Sequence, residues 1–463
     1  MAIEGRELGL ADLAGRRVAL WGFGREGRAT LDALESLDLD LLVVDERAWG
    51  EDEKQELEKA RPGVRLVDGD GATTALDDRE IIVKSPGISL YRPEVAAAQQ
   101  RGAAVTSATR LWFAEHGAQP EQHIVAEQHI VAVTGTKGKS TTASLIAHLL
   151  RALGQRVELR GNIGRPLLVE PSTPPDVWVV ELSSYQTADL VADPAVALLL
   201  NLYPEHLDWH GSLAAYYRDK VHLFAGLRHG TAIVNGTSSE SRRQTADLPS
   251  RVYFNDRAGY HVARNAICRE NEEIVSVADL ALAGRHNQEN VAAALAAVEA
   301  LGFQPGASWT TRLQAALASF NGLPHRLAVL GERHGLLWVD DSISTTPQSA
   351  MAAMNAYLGE RSVTILLGGF DRGLDYSELA AFVVEQSVQA ITLPDSGARI
   401  ANEIRQRGGK VEEVGGMDEA VAVARRRTPP AGVVLLSPAA PSYGAFRSFE
   451  ERGRAFAQAA GFG

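Results

Sequence analysis

Residues 135–141 read Gly-Thr-Lys-Gly-Lys-Ser-Thr, a composition suited to holding phosphate. Glycines let a backbone approach an anion closely, and the N–H groups that open a following helix face it. Lys139 is placed to neutralise the outer oxygens of a nucleoside triphosphate, and the hydroxyl of Ser140 or Thr141 to hold Mg²⁺. The loop departs from the G-x-x-x-x-G-K-[ST] form, which needs glycine at 133 where this chain has Val133. A plain glycine turn is the competing reading. Context favours the phosphate reading: the apolar run Val131-Ala-Val-Thr134 leads in, and the helix-like Ala143-Ser-Leu-Ile-Ala-His-Leu-Leu150 leads out.

Two more apolar runs end in polar residues, Val177-Trp-Val-Val-Glu181 and Val196-Ala-Leu-Leu-Leu-Asn201. In open α/β sheets ligands bind at the carboxyl ends of strands, so Glu181 and Asn201 stand where chemistry is done. Near the start, Arg17-Val-Ala-Leu-Trp-Gly-Phe-Gly-Arg-Glu-Gly27 is strand followed by a G-x-G-x-x-G turn. Gly22, Gly24 and Gly27 fill its glycine positions, and Asp45 closes the next apolar run about 20 residues on, where a ribose-binding acid belongs. Ile81-Ile-Val-Lys84 then runs into the turn Ser85-Pro-Gly87. That combination reads as a nucleotide-like ligand more safely than as NAD.

These elements alternate strand and helix along the whole chain, which predicts α/β architecture with mostly parallel sheets. At about 150 residues per domain, 463 residues suggest three domains. The boundaries are read at 1–116, 117–322 and 323–463. The last domain carries strands at Leu337-Trp-Val-Asp340, Val363-Thr-Ile-Leu-Leu367, Ala390-Ile-Thr-Leu393 and Val433-Val-Leu-Leu436, and residues 444–463 read as a closing helix. The linker at 117–130 carries a tandem hexapeptide, Glu121-Gln-His-Ile-Val-Ala126 then Glu127-Gln-His-Ile-Val-Ala132, whose second copy leads into the phosphate-loop strand. Duplication alone explains the spacing of His123 and His129, so they are not read as a metal pair. A net charge of −12, from 46 basic and 58 acidic residues, argues against nonspecific binding to nucleic acid or anionic membrane. The single Cys268, the charged start without an apolar leader and the lack of an 18-residue apolar run predict a cytoplasmic protein.

Taken in order, the motifs resemble those of the Mur ligases, most closely the branch that adds glutamate to UDP-N-acetylmuramoyl-L-alanine. The resemblance rests on Gly135-Thr-Lys-Gly-Lys-Ser-Thr141, Gly161-Asn-Ile-Gly164, Glu181-Leu-Ser-Ser184, Asn201 through His206-Leu-Asp208, Lys220, His286-Asn287 with Asn290, Pro324-His-Arg326, Asp341-Ser342, Leu367-Gly-Gly369 and Leu436-Ser-Pro438. It implies an N-terminal Rossmann-like domain for UDP, a central P-loop-type ATPase domain and a C-terminal Rossmann-like domain. It also implies an ATP- and Mg²⁺-dependent ligase working through an acyl phosphate in peptidoglycan precursor synthesis. By the same resemblance Lys139 clamps the γ-phosphate, and Gly135, Thr136, Lys137, Gly138, Ser140 and Thr141 complete the loop. Ser140, Thr141, Glu181, His206 and a carbamoylated Lys220 become the metal ligands. Asn162 touches the acyl phosphate or incoming amine, Asn287 and Asn290 the adenine side, and Arg326 and Asp341 reach ATP from the third domain. Gly22, Phe23, Gly24, Gly27, Asp45, Ser85, Gly87 and Asn162 would hold the UDP-sugar. On the residues alone, His206 could equally cap a helix, Lys220 could be a solvated lysine, and Asn287 could be an N-cap.

The amino-acid pocket departs from the usual D-glutamate pattern. Where that pattern has Lys-Ala-Thr-Asn after Asp341-Ser342, this chain has Ile343-Ser-Thr-Thr346, and Phe370-Asp-Arg372 follows Leu367-Gly-Gly369. Arg372 can grip a carboxylate bidentately, which lysine cannot. Thr345, Arg372, Ser442, Tyr443 and Phe449 are therefore read as the glutamate pocket, rearranged to favour L-glutamate, with a separate epimerase acting on the product. Partners are the two substrates and that epimerase, with no nucleic acid or membrane, and the chain is read as a monomer. The alternatives are a D-glutamate ligase, a folylpolyglutamate-synthase-like ligase, and a nucleotide-binding regulator without turnover.

Overall fold

The structure, a computed structural model, describes residues 7–35, 37–117, 128–282, 284–303 and 307–462, so the first hexapeptide copy with His123 lies outside the described residues. The chain divides into two compact units. One comprises residues up to Leu280 together with His286–Leu317, and the other comprises Ala281–Arg285 with Ala318–Gly463.

The first unit holds two parallel sheets. Strands β1 (Arg17–Trp21), β2 (Asp40–Asp45), β3 (Arg65–Asp68), β4 (Ile81–Lys84) and β5 (Ala104–Thr106) lie in the order β3-β2-β1-β4-β5. Side chains alternate between two cores: Leu20, Val43 and Val83 face one, Ala19, Trp21, Val44 and Ile82 the other. Burial on both faces is why these strands read as unbroken apolar runs. Consecutive β1 and β2 lie beside each other, while β4 pairs on the opposite side of β1, so the chain reverses direction around β1. That reversal opens a crevice at the carboxyl ends of β1 and β4, where the Gly22 turn and the Ser85 turn meet.

The second sheet contains β6 (His129–Thr134), β7 (Val157–Gly161), β8 (Val177–Glu181), β9 (Val196–Leu199), β10 (Thr231–Asn235) and β11 (Val252–Phe254), ordered β11-β10-β9-β6-β8-β7. All its pairings are parallel. β6 is therefore central, with β8 and β9 on either side, and its carboxyl end opens directly into the phosphate loop. The helix Arg285–Ala300 buries Ala292, Ala293, Ala294 and Ala297 completely, which is how an alanine-rich helix lies close against its neighbours. A small antiparallel sheet, β12 (Tyr260–Ala263), β13 (Ala266–Arg269) and β14 (Glu272–Ser276), was not apparent as apolar runs.

The second unit is built on β15 (Ala328–Arg333), β16 (Leu336–Asp340), β17 (Val363–Gly369), β18 (Gln389–Asp395), β19 (Val411–Glu413) and β20 (Val433–Leu436), ordered β15-β16-β20-β17-β18-β19. Only the β15–β16 hairpin is antiparallel. The closing helix starts at Phe449, later than the sequence suggests, because the Ser448 hydroxyl accepts the Glu451 N–H at 3.3 Å and fixes the start there. Residues 442–447 are thereby left as a loop at the carboxyl ends of β17 and β20.

Candidate active site

The phosphate loop is held open by its own residues. Gly135 (φ +150°) and Gly138 (φ +85°) adopt backbone that other residues avoid. A methyl group at 138 would lie 2.6 Å from Asn290 Oδ1, and one at 135 would lie 2.8 Å from Leu200 Cβ. Glycine is thus required by conformation and by close approach together. Helix Lys139–Ala152 begins immediately after, with its first-turn amides directed at the loop. Ser140 is buried and Thr141 half-buried. Lys139 folds back, its Nζ donating to Thr136 O at 3.0 Å.

Thr136 and Lys137 shape the loop by spending their donors internally. The Thr136 N–H donates to Asn201 O at 3.0 Å, and its hydroxyl meets Tyr216 Oη at 2.7 Å. The Asn201 side chain accepts the Lys137 N–H at 2.8 Å and donates to Lys137 O at 3.0 Å. Asn201 and Tyr216 are therefore positioning residues. Asn201 was visible as the polar close of an apolar run, though β9 itself ends two residues earlier, at Leu199. Tyr216 was not singled out in the sequence; it lies four residues before Lys220 on helix Leu213–Val221, and that spacing is the one signal that could have found it.

Glu181, Lys220, Lys139 and His206 converge beside this loop. Glu181 ends β8, directly opposite Val133 on one side and Gly161 on the other. It is 1 % exposed; Oε1 accepts from Asn162 Nδ2 at 2.9 Å, and Oε2 has no partner. Gly161 (φ +97°) admits no side chain, since a methyl there would sit 2.2 Å from Glu181 O. Lys220 is 1 % exposed and donates to Gly135 O at 3.0 Å. Burial first, and then the Lys139 ammonium, drive its amine well below the usual lysine range, which favours the neutral form. The solvated-lysine reading falls with that burial.

His206 stands at the start of helix Leu207–His210 in left-handed backbone (φ 55°, ψ 37°), yet its ring makes no capping bond. The ring instead lies 5.0 Å from the Tyr185 ring, and its Nε2 is 3.7 Å from Glu205 Oε2. Burial lowers its pKa against the pull of Glu205, with Lys220 and Lys139 also pushing it down, which keeps the imidazole neutral and able to ligate. Asn287 lies in the first turn of helix Arg285–Ala300, past the cap position, and is buried; Asn290 donates to it at 3.3 Å. The capping alternatives for His206 and Asn287 are thus both set aside.

A buried polar array supports this site and was not read from the sequence. His210 is 2 % exposed; Nδ1 meets Asp219 Oδ2 at 2.6 Å and Nε2 meets Ser184 Oγ at 3.0 Å. Tyr91 from the first sheet's side donates to Asp219 at 2.8 Å, and Trp209 Nε1 donates to the carbonyls of Pro86 and Gly87 at 3.1 and 3.2 Å. The order Ser–His–Asp resembles a nucleophilic triad, but Ser184 is 2 % exposed and cannot reach a substrate. The array instead fastens the helix bearing Lys220 to the Ser85-Pro-Gly87 turn. Replacing His210 with alanine leaves both partners short of a hydrogen bond and opens a void. The expected cost is about 2–4 kcal/mol. A urea titration would show it as a lower midpoint at unchanged slope; an unchanged midpoint would assign the array no structural weight.

In the first sheet, Gly22 (φ +87°) lies against Ser85, whose hydroxyl donates to Gly22 O at 2.7 Å. Gly27 allows the helix Arg25–Leu34 to pack on that turn, as a methyl there would be 2.4 Å from Gly22 O. Gly24 has open space around it. Phe23 is buried, 5.6 Å from the Trp49 ring, so it contributes backbone to the turn and its ring to the core. Both Asp45 oxygens hold the following turn, accepting from Arg47 N at 3.1 Å and Trp49 Nε1 at 3.0 Å. Arg25 bridges to the second sheet, donating to Asn162 O at 3.1 Å.

In the second unit, Asp341 is buried and its carboxylate is fully engaged by Leu327 N (3.1 Å), Ser344 Oγ (2.5 Å) and Ser437 Oγ (2.7 Å). Burial raises its pKa to about 6 against those donors and nearby Arg326. Asp341 therefore organises the bend carrying Arg326. Ser442 is buried, Thr345 half-buried and Arg372 exposed. Tyr443 and Phe370, 61 % and 45 % exposed, meet edge to face at 6.3 Å on the same rim, and Phe449 packs 5.8 Å from the His325 ring.

Three family models match successive parts of the chain. They are the MurD-like N-terminal domain of Mur ligases at residues 16–107, the Mur ligase middle domain at 133–298 and the Mur ligase glutamate ligase domain at 325–440. A UDP-N-acetylmuramoyl-L-alanine--L-glutamate ligase of Xanthomonas axonopodis pv. citri is 44 % identical over 467 residues, covering 98 % of this chain and 97 % of that protein. One bearing the same name from Salinispora tropica is 43 % identical, covering 97 % and 98 %. Among solved structures, MurF from Acinetobacter baumannii has a TM-score of 0.59 at 16 % identity, covering 98 % of this chain and 93 % of that one. A bifunctional folylpolyglutamate synthase/dihydrofolate synthase from Yersinia pestis has a TM-score of 0.51 at 17 % identity but covers 71 % of this chain and 88 % of that one. Among the described residues no helix is long and apolar enough to cross a membrane.

Proposed function

This chain belongs to the Mur ligase family, and we propose that it is the ATP-dependent ligase joining L-glutamate to UDP-N-acetylmuramoyl-L-alanine in peptidoglycan precursor synthesis. The observation that carries ligase chemistry is the Lys220 amine, buried beside the phosphate loop and held well below the usual lysine range, together with the unpartnered oxygen of Glu181. A neutral amine adds to CO₂ and loses a proton, giving a carbamate with two hard oxygens. Among the described residues no three His, Cys, Asp or Glu side chains stand together to hold a metal. A carbamate at Lys220 supplies what that set lacks. Glu181, the carbamate at Lys220 and the hydroxyl of Ser140 or Thr141 then offer the oxygen ligands that Mg²⁺ takes, with the His206 imidazole as a nitrogen ligand beside them. Mg²⁺ bound there would neutralise charge on the phosphoryl oxygens.

The chain's own groups have defined tasks in this reading. The first-turn amides of helix Lys139–Ala152 and the Lys139 ammonium receive the ATP phosphates. The substrate carboxylate attacks the γ-phosphorus, and ADP departs from the resulting acyl phosphate. The amine nitrogen then attacks the acyl carbon, and the bond to phosphate breaks as the amide forms. Asn162, held by Glu181 and fastened to Arg25, orients the acyl group between the two sheets of the first unit. Gly22, Gly24, Gly27, Ser85 and Gly87 line the sugar-nucleotide crevice through backbone, with Phe23 and Asp45 shaping it. Asn287 and Asn290 hold the adenine side of the nucleotide.

For the amino acid, Thr345, Arg372, Ser442, Tyr443 and Phe449 form the proposed pocket. The L-glutamate named for the relatives agrees with the departures at Ile343 and Arg372, and L-configured product calls for a separate epimerase. Cytoplasmic location and a monomeric state complete the reading. The test is phosphate release from ATP with UDP-N-acetylmuramoyl-L-alanine and either enantiomer of glutamate. Release with L-glutamate at a rate about tenfold or more above D-glutamate is expected, a discrimination worth about 1.4 kcal/mol. Preference for the D-isomer would discard the stereochemical assignment, and release with neither would discard the acceptor.

A further inference from the structure

The closing helix Phe449–Ala460 carries a cation that none of the pocket assignments uses. Arg452 is 1 % exposed, and its guanidinium is only partly satisfied: one Nη donates to Ser342 O at 2.8 Å, while Nε and the other Nη have no partner. It lies directly behind two loops of the amino-acid pocket. Gly369, at the end of β17, sits in left-handed backbone (φ +146°), and a methyl there would lie 2.9 Å from the free Nη and 2.3 Å from Pro441 O. Only glycine lets that strand end rest on the guanidinium. The next helix residue is also glycine: a methyl at Gly453 would lie 2.4 Å from Asp340 Oδ2 and 2.7 Å from Ser342 Oγ. The helix is thus pressed against the ends of both β16 and β17.

We propose that Arg452 is a positioning residue that sets the preference of the amino-acid pocket for an anionic side chain. It does so by tying together the loops after β16 and β17 and by holding beneath them a charge that makes no direct ion pair. The inference rests on the ligase reading above. The charge has no ion-pair partner among the described residues. Asp340, the facing carboxylate, is taken up by His325 Nδ1 at 2.7 Å and by Ser342 N at 2.9 Å. Burial lowers the guanidinium's pKa to about 10, with Asp340 opposing, so it remains charged at neutral pH. A buried charge without a direct ion pair is costly, and its field reaches further than it would in water. A carboxylate arriving above the loops offsets that cost; a neutral carboxamide does not. Ser342 Oγ, also buried and without a partner, stands on the same side.

The experiment compares glutamate with glutamine as acceptor amine in the full chain. In Arg452→Met the KM for L-glutamate is expected to rise about tenfold or more, and the glutamate-to-glutamine ratio of kcat/KM to narrow by a similar factor. The KM for ATP and for the sugar nucleotide should stay within about twofold, because those sites do not depend on this charge. Arg452→Lys keeps the charge and loses the fork, so it should retain the ratio while raising both amine KM values. It also provides the readout if the methionine variant does not fold. An unchanged glutamate KM and ratio in Arg452→Met, or a ratio lost equally in Arg452→Lys, would overturn the proposal. Glutamate-dependent phosphate release by the wild type, run alongside, separates failure of the ligase reading from failure of this one.

Discussion

Replacing Lys220 with alanine is expected to lower ligase turnover by about 10³-fold, the scale on which a preorganised charge in a dry site acts. An amine 1 % exposed, beside the Lys139 ammonium, holds its proton poorly. A neutral amine is the form that adds to CO₂, so the environment that makes Lys220 a poor cation makes it a good precursor of a carbamate. Arginine separates this reading from its rival. Lys220→Arg keeps a long cationic side chain able to reach Gly135 O but cannot be carbamoylated at physiological pH. If Lys220 acts as a cation, arginine should preserve much of the rate. If it acts as a carboxylate-like ligand, arginine should be as inactive as alanine. Added formate should then restore part of the alanine variant's rate by occupying the vacated space with a carboxylate. Substantial activity in Lys220→Arg, or no response to formate, would remove the carbamate from the mechanism.

The reach of the sequence was set by how local each feature is. Strands buried on both faces, such as Val177–Glu181 and Val196–Leu199, need apolar residues at every position, so the parallel sheets could be read directly. The phosphate loop was readable because glycine backbone and helix start are adjacent in the chain. β15 and the small antiparallel sheet were not, since β15 has no fully buried residue and the others are short and mixed in burial. The same limit applied within the site. Glu181 announced itself as a strand end, and Asn201, which falls two residues past the end of β9, as the polar close of an apolar run. His210, Tyr216 and Arg452 owe their burial to segments distant in sequence, and a charged or polar residue on a helix otherwise reads as solvated. Lys220 belongs with them: residue type and spacing alone gave a surface lysine, and only the family resemblance suggested more.

Lys139→Met is expected to lower turnover by about 10³-fold, and its combination with Lys220→Ala to cost little beyond either change alone. Methionine keeps the length of the stem and removes the charge. The loss falls on the phosphoryl group being transferred, so ATP binding should weaken more than ADP binding, which places one phosphate fewer at the loop. The coupling follows from the same geometry. Lys139 is the second cause, after burial, holding Lys220 below the lysine range, and it also lowers the His206 imidazole. Removing it therefore deprives the site of a cation and eases one of the causes that hold Lys220 below the lysine range, so the remaining ligand set is impaired in the single variant already. Groups that act as one unit do not lose their contributions twice. Single-turnover phosphate release from the two single variants and the double variant closes the cycle. Fully additive losses, on the order of 10⁶-fold in the double variant, would show that Lys139 and Lys220 act independently and that the loop cation has no part in preparing the metal-ligand lysine.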